Sequence, residues 1–165
     1  MSEFKSITAN TVKFKKLRKS AIIPKRMSEK ASGLDLFAYI PEQPQLLNTD
    51  ESRTILLYPS DRVVISTGIT MELPEGYEAQ VRSRSGLSAK NGICVLNSPG
   101  TIDEDYRGEI KVILLNTDRV KTFTIKHGDR IAQLVISKVC RLPYTEVEEL
   151  SDTERGEGGL GSTGV

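Results

Sequence analysis

Apolar residues recur at every second position through much of this chain. Leu34, Leu36, Ala38 and Ile40 interleave with Asp35, Phe37 and Tyr39; Ile110, Val112 and Leu114 form a second set; Phe123 and Ile125 alternate with Thr122 and Thr124. A period of two sends successive side chains to opposite faces of an extended backbone, so these segments predict strands. β-branched residues crowd 62–69, where Val63, Val64, Ile65, Thr67 and Ile69 suit a pleated surface. Turn signals punctuate the pattern at Tyr58-Pro59-Ser60-Asp61, Pro74-Glu75-Gly76, Ser98-Pro99-Gly100 and Asn116-Thr117-Asp118. About seven strands or more are expected, without long helical crossovers, and the fold class is all-β, a barrel or jelly roll.

One stretch departs from the pattern. Ser85 to Gly92 opens on a serine suited to an N-cap and closes on Asn91-Gly92, a helix-stop pair, so one short helix is expected there. From Pro41 to Arg53 the chain turns polar and aperiodic, as an exposed loop does. The last eleven residues, Arg155 to Val165, hold five glycines and no core-forming pattern; such a tail is mobile in isolation and able to fold over a phosphate. A length of 165 residues favours one domain over 1–154, followed by a glycine-rich lid segment over 155–165.

Charge excludes some partners. The 23 basic and 22 acidic residues nearly cancel, so no global field recruits nucleic acid or a membrane, and an anionic ligand needs a local site. Segment 12–26 carries seven basic residues and no carboxylate, but Val12, Phe14 and Leu17 point to a strand with a solvated face. Apolar runs such as Ile131 to Ile136 fall far short of the ~20 residues that span a bilayer, and no charged-then-apolar leader opens the chain. A soluble protein is expected, cytoplasmic or nuclear. Cys94 and Cys140 lack metal-ligand spacing and are expected as buried free thiols; His127, without a second histidine, is expected as a turn residue.

Three segments carry polar chemistry. Arg84-Ser85-Gly86 joins a guanidinium, a hydroxyl and an unobstructed amide at a helix start, donors suited to phosphate oxygens. Arg155 and the segment around Ser162 and Thr163 offer charge, hydroxyls and flexible amides for an anion nest. Gly100 to Gly108 places Asp103, Glu104, Asp105 and Tyr106 between strands. Each alone also fits a plainer reading: a capped helix with a surface arginine, a linker, a hairpin with solvated acids. Together they point to a phosphorylated ligand with a carboxylate available as general base, the nucleobase and sugar left open.

The same segments, in this order, resemble the five motifs of the trimeric dUTPase family: Ala31-Ser32-Gly33-Leu34-Asp35-Leu36, Arg84-Ser85-Gly86-Leu87-Ser88, Asn97 through Gly108, Gly128-Asp129-Arg130-Ile131-Ala132-Gln133, and Arg155 through Gly164. The resemblance implies a jelly-roll subunit, a homotrimer with active sites shared between subunits, and hydrolysis of dUTP to dUMP and pyrophosphate, which limits uracil in DNA and supplies dUMP for thymidylate synthesis. By that resemblance Asp103 activates the water that strikes the α-phosphorus. Mg2+ is the implied cofactor, held mainly by the triphosphate with Asp35 near its water shell. Arg84, Ser85, Gly86 and Gln133 bind phosphate, and Arg155, Gly161, Ser162 and Thr163 close over the γ-phosphate. Asn97, Thr101, Ile102 and Lys111 read the uracil edge, and Tyr106 under the deoxyribose excludes a 2′-hydroxyl. One departure stands out: Leu160 replaces the aromatic residue that usually covers the uracil, so apolar cover remains without π-stacking. The nearest alternative is dCTP deaminase, which shares the fold and trimeric plan; Asp103 with Tyr106, and the full glycine-rich tail, favour the phosphohydrolase. A catalytically silent binding module is the other.

Overall fold

The alternating segments are strands in the computed structural model, which describes residues 11–42 and 53–159. The described residues form β1 (Lys13–Lys16), β2 (Leu34–Phe37), β3 (Thr54–Leu57), β4 (Arg62–Ser66), β5 (Ile69–Glu72), β6 (Tyr77–Arg82), α1 (Ser85–Asn91), β7 (Ile93–Val95), β8 (Gly100–Ile102), β9 (Lys111–Asn116), β10 (Phe123–Lys126) and β11 (Arg130–Lys138). All pairings are antiparallel, and three are nested: β2 with β11, β3 with β10, β4 with β9. That nesting is a long hairpin wound around a core, the jelly-roll connectivity. Further pairs β6 with β11 and β8, β7 with β9, and β1 with β5 complete a four-stranded sheet, a three-stranded sheet and two ribbons.

Most of the alternating apolar residues are inside, although Leu34 and Phe123 are only half-buried. Leu36, Ile65, Ile69, Val112, Leu114, Ile125 and Leu134 are all but inaccessible, each contributing about 1.5–3 kcal/mol by leaving water. Asn116 is one of the buried polar residues, fully paired: its amide donates to the Leu57 and Lys121 carbonyls at 3.0 and 2.9 Å and its oxygen accepts from Asp118 N–H at 3.0 Å. It ties β9 to β3 and to the 117–121 turn.

Both faces of β2 are covered: Asp35 and Phe37 are buried as well as Leu36, because β2 sits against β11 with Asp35 locked in an ion-pair cluster. Several expectations need correction. Ser85 does not cap the helix: Arg84 occupies the N-cap position without a side-chain cap bond, and Ser85 is the first helical residue. Gly92 closes the helix as expected, left-handed at φ 66°. Cys140 is exposed beyond the end of β11 and Cys94 is half-buried in β7; both thiols are free. Most of the 41–53 loop lies outside the described residues, as do Leu160, Gly161, Ser162 and Thr163. Residues 139–159 form no strand or helix, and no helix among the described residues is long and apolar enough to cross a membrane.

Candidate active site

The residues proposed for base and sugar lie on β8, at the start of β9, in the loop that joins them and, for Asn97, in the turn that precedes β8. β8 ends at Ile102, β9 starts at Lys111, and the intervening loop carries Asp103 and Tyr106. Asn97, Thr101, Ile102, Asp103, Tyr106 and Lys111 line one cavity of about 250 Å³. Asp103 is exposed, and among the described residues nothing hydrogen-bonds its carboxylate, which leaves its lone pairs for a water.

The loop bearing Asp103 is fastened at several points. Glu104 accepts from Gly76 N–H at 2.7 Å and pairs with Arg141 at 3.0 Å. Arg141 first, and the Gly76 amide second, hold the Glu104 carboxyl below its ordinary range. Thr70 Oγ1 donates to the Arg107 carbonyl at 2.8 Å, and Ile110 N–H to the Ile69 carbonyl at 2.9 Å. A carboxylate presented on so pinned a loop loses little orientational entropy when a ligand arrives.

The phosphate-type residues assemble elsewhere. Asp35 of β2 stands opposite Gln133 of β11, and Gln133 stands opposite Arg82 of β6, which leads into Arg84 and the helix. Asp35 is 4% exposed, and its oxygens face Arg130 at 3.1 Å, Arg84 at 3.7 Å and the Gln133 amide at 3.4 Å. Arg84 also donates from Nη1 to the Arg130 carbonyl at 2.7 Å. A register shift between Arg130 and Ala132 interrupts the β2–β11 ladder here, next to the Arg130 side chain that reaches Asp35. Arg84 and Arg130 line a second cavity that shares no residue with the first. Ser85 and Gly86 are exposed on the first turn of α1, whose leading N–H groups have no intrahelical acceptor.

Arg155 is exposed, its Nε donating to the Gly158 carbonyl at 2.8 Å, and it belongs to neither cavity. His127 is a turn residue, as expected, and also a buttress: Nδ1 lies 3.2 Å from the Ile40 amide and 2.9 Å from Arg53, and the ring meets Tyr39 edge-on. Sequence reasoning missed Arg130, Val64 and Ile113. Arg130 reads as one more charge beside Asp129 until pairing sets it against Asp35. Val64 carries a weak signal, a large apolar residue at an outward position of β4, 57% exposed and lining the first cavity.

An all-β jelly roll, a small, mostly apolar cavity with a free carboxylate at its rim, and a separate arginine cluster define a protein suited to binding a phosphorylated small molecule. Comparison with known proteins gives the family. Residues 19–164 match the family model described as dUTPase. The deoxyuridine 5'-triphosphate nucleotidohydrolase of Hydrogenobaculum sp. (strain Y04AAS1) is 52% identical over 151 residues, covering 92% of this chain and 96% of that protein. The one from Anaplasma marginale (strain St. Maries) is 48% identical over 143 residues, covering 87% and 89%. A mutant dUTPase of Staphylococcus bacteriophage 80alpha, solved with dUpNHpp, superposes with a TM-score of 0.80 at 30% identity, covering 94% and 99%. A mutant dUTPase of phage phi11 of S. aureus, described with a coordinated structural Mg(II) ion, superposes at 0.71 with 26% identity, covering 87% and 100%. The chain belongs to the dUTPase family. Its activity is that of a dUTP diphosphatase, a hydrolase of nucleotide metabolism.

Proposed function

We propose that the protein hydrolyses dUTP to dUMP and pyrophosphate with Asp103 as general base, in a homotrimer whose active sites combine segments of different subunits. The observation that carries the reading is the single cavity lined by Asn97, Thr101, Ile102, Asp103, Tyr106 and Lys111, which sets a carboxylate beside groups able to read a base edge and a sugar face. Asp103 accepts a proton from water as the water oxygen bonds to the α-phosphorus and the bond to the bridging oxygen breaks, releasing pyrophosphate. Arg84, with Ser85, Gly86 and Gln133, stabilises the charge that develops on that leaving oxygen. Uracil is selected because cytosine would leave the amide of Asn97 and the β8–β9 backbone with mismatched partners.

Two features support the shared site. Base-type and phosphate-type residues of one chain line separate cavities, so a triphosphate joined to a nucleoside spans them more simply across a subunit boundary. Beyond β11, Leu142, Tyr144 and Leu150 stand 77%, 99% and 87% exposed, an apolar display suited to packing on another copy. Arg155 would thereby reach a neighbouring site, where residues 155–165 act as a lid, with Leu160 over the base and Gly161, Ser162 and Thr163 on the γ-phosphate.

The donor set speaks to magnesium. Among the described residues no group of three His, Cys, Asp or Glu side chains could hold a metal, and Asp35 already faces two arginines. That fits an ion carried in by triphosphate oxygens and meeting the protein through water, with Asp35 the carboxylate available to accept from that water. An Mg2+ ion bound there would supply Lewis-acid withdrawal of charge from the phosphates. Single turnover of dUTP in oxygen-labelled water tests the chemistry: label in dUMP, and its loss in Asp103→Asn, is expected. Label in pyrophosphate would mean attack at another phosphorus, and an active Asp103→Asn would remove Asp103 as base.

A further inference from the structure

We infer that Gly108 is a specificity-determining positioning residue, whose bare Cα seats the ring of Tyr106 where that ring excludes a ribose. The inference rests on Tyr106 being the platform under the deoxyribose. A Cβ on Gly108 would collide with Tyr106 Oη and lie 2.5 Å from Cζ and 2.9 Å from Cε2. Carbon atoms in contact settle about 3.5–4.0 Å apart, so the ring would have to shift by roughly 1 Å. The ring is folded back over its own loop and held at its far end, Oη donating to the Glu109 carbonyl at 3.0 Å.

The backbone beneath cannot retreat in its place. The Glu109 carboxylate accepts from Gly68 N–H at 2.9 Å, and the Arg107 carbonyl is held by Thr70 Oγ1 at 2.8 Å. Arg107 Nη1 in turn donates to the carbonyls of Glu104 and Tyr106 at 2.6 and 3.1 Å. Tyr106, by contrast, is 46% exposed, and its ring can swing outward at the loss of the Oη bond to the Glu109 carbonyl. A methyl group at position 108 therefore moves the ring and spares the fold. Since dUTP and UTP differ by one hydroxyl, a shift of that size acts directly on the choice between them.

The test measures kcat/KM for dUTP and for UTP on the full-length protein carrying Gly108→Ala, Tyr106→Ala, or both. With Gly108→Ala the dUTP-over-UTP ratio is expected to fall by about tenfold or more, the scale on which one misplaced packing group discriminates. In the Tyr106→Ala background, Gly108→Ala should change the ratio no further, because the ring through which it acts is gone. An unchanged ratio in Gly108→Ala, or a further drop in the double variant, overturns the inference while leaving Tyr106 as the platform. A Tyr106→Ala ratio equal to wild type overturns the platform itself. Should Gly108→Ala fail to fold, Tyr106→Phe carries the test by removing the Oη anchor: a several-fold loss of discrimination is expected, and none would be contrary.

Discussion

Replacing Asp35 by asparagine strips a negative charge from between two guanidinium groups and sets an amide donor against them. The carboxylate is 4% exposed, at 3.1 Å from Arg130 and 3.7 Å from Arg84. Removing one partner of a buried ion pair costs about 3–5 kcal/mol when the survivor stays buried. Here the survivors are 22% and 43% exposed and regain hydration, which brings the expected loss to about 2 kcal/mol. For a chain of this length that lowers Tm by about 4–8 °C. The catalytic effect is separate: Arg84 keeps its bond to the Arg130 carbonyl but loses the partner that orients its Nε. Misplacing a phosphate ligand by about 1 Å costs up to ~100-fold, so kcat/KM for dUTP should fall between roughly ten- and a hundredfold. Melting without nucleotide and in a chelator, at fixed protein concentration, isolates the ion-pair contribution from any role of Asp35 near magnesium. An Asp35→Asn protein with wild-type Tm under those conditions would refute the clamp, whatever its activity.

Three other outcomes follow from the same geometry. If Asp103 and Arg84 serve one site from different subunits, mixing and reassembling inactive Asp103→Asn and Arg84→Ala proteins should restore about a quarter of the sites; a mixture as inactive as its components would place both residues in one chain's site. Burial, and then the charge of Arg53, lower the His127 pKa, so the folded state favours the neutral ring. Its contribution to stability is complete above the unfolded value of 6.5 and is lost as pH falls from there toward the lower folded value; Tm measured against pH should drop in that window, and His127→Asn should flatten the drop. Deleting residues 155–165 should leave the folded assembly intact by light scattering while turnover falls sharply; full activity would remove the lid from the mechanism.

How much of this was legible beforehand depended on whether a residue's role is local. Strands of period two, the Asn91-Gly92 helix stop and the Gly-flanked loop of Asp103 are written in neighbours along the chain, and the structure has them where expected. The burial of Asp35 was not, because alternation assigns it to an outward face and only the pairing of β2 with β11 brings Arg130 and Arg84 to it. Cys140 was misplaced for the opposite reason: the apolar run before it promised a longer strand, but β11 ends at Lys138. The assignment of Ser85 as N-cap failed by one residue, since Arg84 takes the extended conformation and turns its side chain to Arg130 and Asp35. The nested pairing that makes the jelly roll has no local signature at all. It was the ordered family motifs, rather than periodicity, that singled out this fold among all-β alternatives.

The most direct test of the account is pyrophosphate release from dUTP, dCTP, dTTP and UTP with magnesium, by the full-length protein and by Asp103→Asn. The account predicts rapid release from dUTP, little from the others, and near-complete loss in the variant. Comparable release from dCTP or UTP would contradict the assignment of base and sugar selection to the Asn97–Lys111 cavity, and undiminished release by Asp103→Asn would contradict its catalytic role.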